Sequence, residues 1–358
     1  MKIFKVLHAS HKALRTFSGI QPTGTLHLGN YFGAVQQWVK EVNSLEELAS
    51  EQRLFCVVDL HAITMPQNPQ ELRKNIQLMS ASLIGCGLDP DKCVVFEQSK
   101  VKQHAELSWI LGCFSTVPSL QRLSQYKDKS KGMSEVPLGL FIYPVLQAAD
   151  ILLYKANNVP VGEDNLQNVE FARRLARSFN HRFNQEVFPI PNAVLVKEEA
   201  SRRIKSLRQP NKKMSKSDSD KKSCLYILDE PDVIREKIKK AVTDSIGKVT
   251  FDPEGRPGVS NLVCIHSQMS NKDPLTIVQE VEHMDTGQYK LHLVEAVVEH
   301  FKPIREDTLR LLNNPDHLEA VLKRGSYRQR VRQSPSAEPS AEGLGKEIPI
   351  PLQLQRPR

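Results

Sequence analysis

The sequence predicts an α/β protein: a doubly wound parallel sheet followed by a C-terminal α-helical domain. Three observations carry this. Short apolar runs at Phe17–Ile20, Leu54–Val58 and Cys93–Phe96 read as strands buried on both faces. Stretches of helical character separate them, and a β-α-β-α-β order implies parallel strands. Beyond about residue 207 the strand signals fade and helical spacing takes over.

The elements follow in order. Phe17–Ile20 leads into a Gly/Pro turn and a helix from about Asn30. After Leu54–Val58, Leu72, Ile76, Met79 and Leu83 mark one helix face, ended by Gly85 and Gly87. A later helix is expected to open at Pro144, since proline suits the first helical position. Val233–Val242, Thr276–His283, Tyr289–Phe301 and Ile304–Leu312 read as helices of the second domain. After Gly325 the text turns to Ser, Pro, Glu and Gln and holds five of the chain's 22 prolines. It cannot bury enough apolar area to fold, so 326–358 is expected to be disordered. The resulting division is 1–16, 17–206, 207–325 and 326–358.

Composition bounds the function. The 358 residues are 40% hydrophobic and 25% charged, ordinary for a globular protein. No apolar run reaches the roughly 18 residues of a membrane helix, so no membrane partner is expected. The six cysteines contain no C-x-x-C pair, which excludes a zinc ribbon and gives no expectation of a structural metal. The net charge of +8 favours a polyanionic partner, although the segment from Arg324 contributes seven bases against three acids. The first 40 residues hold no Asp or Glu, and 1–16 mix Lys2, Lys5, Lys12 and Arg15 with apolar residues. That start resembles a mitochondrial targeting segment, with a cytoplasmic location as the alternative.

Four stretches carry chemistry. Gly19–Asn30 (GIQPTGTLHLGN) leaves a strand and opens a helix, where free N–H groups attract anions. His27 and Asn30 can both face one phosphate from that turn. Lys212–Asp218 (KKMSKSD) clusters lysines with small hydroxyl residues on a loop able to close over polyphosphate. In Tyr143–Tyr154, Tyr143, Gln147 and Asp150 line one helix face, and a buried Asp150 needs a donor partner such as an indole N–H or a phenol O–H. Val159–Asp164 (VPVGED) ends in two acids able to receive ribose hydroxyls or an ammonium group.

With VDLHAIT (58–64) and AVTDS (241–245), these residues resemble the bacterial and mitochondrial tryptophanyl-tRNA synthetases, class I enzymes with HIGH and KMSKS signatures. The resemblance covers about 17–325. It implies a Rossmann-like catalytic domain, a helical anticodon-binding domain and a homodimer. It implies ATP with Mg2+, L-tryptophan and tRNA(Trp) as substrates, joined through a tryptophanyl-adenylate. By resemblance, Gln21, His27, Leu28, Gly29 and Asn30 contact ATP, and Gly162, Glu163, Asp164 and Ile204 border the adenosine. Lys213, Met214, Ser215, Lys216 and Ser217 hold the phosphates; His27, Asn30, Lys213, Lys216 and Ser217 form the catalytic set. Asp150 receives the indole N–H, Phe17, His61, Val159 and Val161 wall the ring, and Tyr143 and Gln147 hold the head group. Three departures stand out: Asn165 where GEDQ is usual, Gln147 where bacterial members have Met, and no family-like amphipathic helix after Gly325. Rival readings are a tyrosyl-tRNA synthetase, a nucleotidyltransferase with an HxGH site and a catalytically silent RNA-binding paralogue.

Overall fold

The computed structural model describes residues 14–44, 53–195, 204–216 and 218–333. Residues 1–13 of the expected targeting stretch, Ser217 and residues 334–358 lie outside the described residues.

Five parallel strands form one sheet in the order β3-β2-β1-β4-β5: β1 (Thr16–Ile20), β2 (Arg53–Val57), β3 (Val94–Glu97), β4 (Asn158–Val161) and β5 (Asn192–Leu195). The order reverses between β1 and β4. A ligand crevice opens at such a switch point, beyond the carboxyl ends of the strands.

Alternation along β2 explains its continuous apolar run. Leu54 and Cys56 join Phe17, Val94 and Phe96 on one face of the sheet, under α8 (Leu138–Leu153) and α9 (Leu166–Phe183). Phe55 and Val57 join Val95 on the other face. There they meet α4 (Pro69–Gly85), and the same core runs on without a break to Ile234, Tyr289 and Phe301. The division at 206 therefore separates architectures but not cores. Gly87, at φ +106°, ends α4 as the left-handed residue of a Schellman motif: its N–H donates to Ile84 and that of Leu88 to Leu83.

Between these lie α1 (Leu28–Asn30), α2 (Gln36–Asn43), α3 (Asp59–Ala62), α5 (Gln103–Gly112), α6 (Val117–Gln121) and α7 (Ser124–Ser130). A π-helical turn, Tyr31–Val35, joins α1 to α2. The second half carries α10 (Pro231–Lys239), α11 (Pro257–Ser270), α12 (Pro274–Glu280), α13 (Thr286–Leu312) and α14 (Pro315–Gln333). The AVTDS motif serves the fold: Asp244 takes a two-pronged bond from Arg256 Nε and Nη2, at 2.9 and 2.7 Å.

Three expectations need correction. The helix expected at Pro144 opens six residues earlier, at Leu138, and Pro144 sits inside it. The expected pair Tyr289–Phe301 and Ile304–Leu312 is one helix, α13, running through Pro303. Each proline lacks an N–H and so forfeits one helical bond, and burial of the surrounding apolar faces outweighs that loss. The boundary at 326 also shifts, because α14 continues through Gly325 to Gln333. Gly325 is a close-approach residue: a Cβ there would lie 2.2 Å from the Val95 carbonyl oxygen. Ser326 and Gln329 are buried in this helix, which packs on β3.

Candidate active site

The two signature loops meet through a short backbone ladder. Leu28 N–H donates to Leu225 O, and Ile227 N–H donates to Leu26 O. The segment following Lys212–Asp218 is thus stitched to the opening of α1. Lys216 Nζ lies 3.2 Å from the Thr23 carbonyl oxygen. Thr23, Thr25, Lys216, Tyr226, Leu228 and Asp229 line a cavity of about 330 Å³ beside this contact.

His27 caps α1, its Nδ1 accepting from the Gly29 N–H at 3.0 Å. That bond assigns the ring proton to Nε2, which is left as a donor. Gly29 is required for the arrangement, since a Cβ would lie 2.8 Å from the His27 ring. Burial, then the charges of Lys216 and Lys213, push the His27 pKa down to about 4. The ring is therefore neutral near pH 7. Burial also lowers Lys216 to about 8. Met214 is buried, and its N–H approaches Ile204 O at 3.5 Å. Lys205 and Lys213 form an isolated bridge at the base of the loop.

The second part of the site sits under β1 to β4. Asp150 on α8 is 1% exposed, and the protein itself supplies its partners. His61 Nε2 donates to Oδ2 at 2.9 Å; His104 Nδ1 and Gln98 Nε2 donate to Oδ1 at 2.6 and 2.7 Å. Burial alone would raise the carboxyl pKa. His104 and then His61, each hydrogen-bonded to the carboxylate, outweigh it and hold Asp150 well below the usual range. Its burial thus does not require a ligand donor. Gln98 accepts from Leu60 N–H at 3.1 Å, tying this acceptor to the turn after β2. Phe17 stacks on Tyr154 with centroids 5.7 Å apart, and Val159 and Val161 border the same apolar cluster.

A polar chain lies near the other end of this α8 face. Tyr143 O–H donates to Gln125 Oε1 at 2.7 Å, and Asn168 Nδ2 donates to Gln147 Oε1 at 2.9 Å. Asn168 Nδ2 also lies 3.4 Å from Asn165 Oδ1. Gln125 Nε2 donates to the Asp164 carbonyl at 2.7 Å, and Lys129 Nζ stands 4.6 Å from the Tyr143 ring centroid.

Residues 9–302 match the family described as tRNA synthetases class I (W and Y). The chain belongs to that family. It is 48% identical over 311 residues to a tryptophan–tRNA ligase of Bacillus anthracis, covering 87% of this chain and 91% of that one. A tryptophan–tRNA ligase of Rickettsia conorii is 41% identical over 329 residues, 92% of this chain and 97% of its own. A tryptophanyl-tRNA synthetase from Campylobacter jejuni, solved with ADP and tryptophan, superposes with a TM-score of 0.77 at 34% identity. That match covers 88% of this chain and 95% of the other.

In this class I synthetase, the expected residues fall into two groups. His27, Leu28, Gly29, Asn30, Met214, Ser215 and Lys216 gather around the ladder, with Lys213 exposed at the loop base and Gln21 exposed on the turn after β1. Phe17, His61, Tyr143, Gln147, Asp150, Val159 and Val161 gather at α8 and the strand ends. Gly162, Glu163 and Asp164 form the turn leaving β4. Sequence reading missed Gln98, His104, Gln125 and Asn168. Gln98 directly follows β3, so the strand-end rule could have found it. His104, Gln125 and Asn168 are single polar residues on helices, and nothing local marks them.

Proposed function

We propose that this chain joins L-tryptophan to tRNA(Trp) at the expense of ATP. The observation that carries the reading is the joining of the His27 turn to the Lys212–Asp218 loop, through the 26–28/225–227 ladder and the Lys216–Thr23 contact, in a chain so similar to tryptophan–tRNA ligases. A tryptophan carboxylate oxygen attacks the α-phosphorus of Mg·ATP, the bond to the β-phosphate oxygen breaks, and pyrophosphate leaves. A ribose hydroxyl of the tRNA terminus then attacks the adenylate carbonyl, and AMP leaves. No protein nucleophile is needed; the chain supplies position and charge. Neutral His27 offers Nε2–H to a phosphate oxygen without competing for the lysines' counter-charge. Lys213, Lys216 and Ser217 hold the migrating phosphates, the two lysines supplying counter-charge and the serine a hydrogen bond. Asp150 accepts the indole N–H, Phe17, His61, Val159 and Val161 wall the ring, and Tyr143 and Gln147 receive the head group. Asn30, Gln21 and the Gly162–Asp164 turn border the nucleotide, with Ile204 behind the loop.

The enzyme acts as a homodimer in this reading. Trp109 on α5, Val117 on α6 and Leu138 on α8, 78%, 57% and 69% exposed on two helices that pack on α8 and on α8 itself, support a partner there. Its location is the mitochondrial matrix, supported by the acid-free basic start.

Amino-acid-dependent pyrophosphate exchange with each standard amino acid, followed by charging of tRNA(Trp), tests the function. Tryptophan alone is expected to support exchange. Exchange with tyrosine instead would overturn the specificity.

A further inference from the structure

Asp150 does not stand alone. A carboxylate offers about four lone-pair positions. His104 and Gln98 occupy both on Oδ1, and His61 takes one on Oδ2. One acceptor position remains. Its direction depends on what holds Oδ1, and the shortest of the three bonds comes from His104.

His104 is in turn fixed at its far side. Its ring is fully buried, it stacks on Phe96 with centroids 6.1 Å apart, and Tyr154 O–H lies 2.7 Å from its Nε2. Burial raises the phenol's pKa, so Tyr154 keeps its proton; because the neutral ring must spend its one proton on the Asp150 carboxylate at Nδ1, Nε2 is left to accept the phenol O–H. The Tyr154 ring packs against Phe17, itself a wall of the ring pocket. The relay Tyr154–His104–Asp150 therefore runs from the pocket wall to its acceptor without exposed atoms.

We propose that His104, oriented by Tyr154, is a positioning residue that aims the last acceptor position of Asp150 at a ring N–H. It thereby sets selection for an indole over an isosteric ring without a donor. The inference rests on the reading of Asp150 as the indole acceptor. At 1% exposure Asp150 reaches a ligand only after small shifts of the pocket side chains. A relay anchored from behind leaves Oδ1 in place during such shifts.

The test compares kcat/KM in pyrophosphate exchange for L-tryptophan and for benzothienylalanine, in which sulfur replaces the indole N–H. The wild type should prefer tryptophan by on the order of 10²-fold or more, because a site built around a donor rejects its absence. Asp150→Asn should reduce that ratio at least tenfold. His104→Leu should reduce it about tenfold, through KM for tryptophan, while KM for ATP and kcat/KM for benzothienylalanine stay within about threefold. His104→Asn places an amide N–H close to the position of Nδ1 and should keep most of the preference. Tyr154→Phe, which keeps the ring packing, should reduce the ratio about threefold and guards against a misfolded His104→Leu. An unchanged ratio in Asp150→Asn would remove the underlying reading. A ratio that falls in Asp150→Asn but not in His104→Leu or Tyr154→Phe would overturn the positioning role alone. Equal losses for both amino acids would do the same, since a purely structural role affects them alike.

Discussion

Lys216 Nζ and the Thr23 carbonyl oxygen stand 3.2 Å apart across 193 positions of sequence. The lysine is thereby held against the turn that leaves β1. A phosphate is a stronger partner than a carbonyl, so a phosphate within reach would win this ammonium group from Thr23.

Lys216→Ala should slow adenylate formation by on the order of 10²–10³, as for loss of one transition-state donor. KM for tryptophan should stay within about threefold, because the lysine lies among phosphate-site residues and not on the α8 face. Rapid-quench measurement of the first turnover checks both. A first-turnover rate close to the parent's would reject the clamp.

His27 titrates near 6.5 when unfolded and near 4 when folded. The folded state therefore resists protonation. The sign follows: the stability linked to this ring is complete above pH 6.5 and is lost as pH falls toward 4. His27→Asn keeps a capping oxygen in place of Nδ1 and removes the titration. Urea midpoints at pH 7, 6 and 5 should fall less steeply in the variant. His266, also lowered to about 4 by burial and then by His292, contributes to both proteins and cancels in the difference. Parallel curves would contradict the assignment.

Gly325→Ala should destabilise the fold by about 1–3 kcal/mol, the usual range for overpacking. The added methyl meets the Val95 carbonyl, a backbone atom that cannot swing aside. A lower urea midpoint with an unchanged slope is the expected result. An unaltered midpoint would mean that α14 can lift from β3 at no cost.

Gln329 presents the opposite case. It is 1% exposed and its Nε2 has no hydrogen-bond partner among the described residues. An unmade bond of this kind costs about 1–3 kcal/mol. Gln329→Met conserves volume and deletes the polar atom, so it should raise the urea midpoint. A drop would show that the amide finds a partner in solution.

Much of this was legible in the residues. β1, β2 and β3 announced themselves, the last two because a parallel strand buried on both faces has few polar positions to interrupt it; β4 and β5, short and partly exposed, did not. The loops did so because phosphate chemistry needs lysines and glycines at close spacing. The relay behind Asp150 was not legible: His104, Gln98 and Tyr154 come from three elements, and only the sheet brings them together. Pro144 and Pro303 misled because a lost hydrogen bond is visible locally while the burial that offsets it is not. The meaning of Gly325 was equally out of sight, because it lies in Val95, far away in sequence.

The ladder between residues 26–28 and 225–227 has a consequence for biosynthesis. A ribosome releases the first strand of the ladder about 200 residues before the second. At about 5–20 residues per second, that is an interval of roughly 10–40 s. Through this interval His27 has its glycine but not its lysines, so the nascent chain carries half a nucleotide site. Affinity for ATP can then appear only late in translation, after most of the polypeptide has emerged.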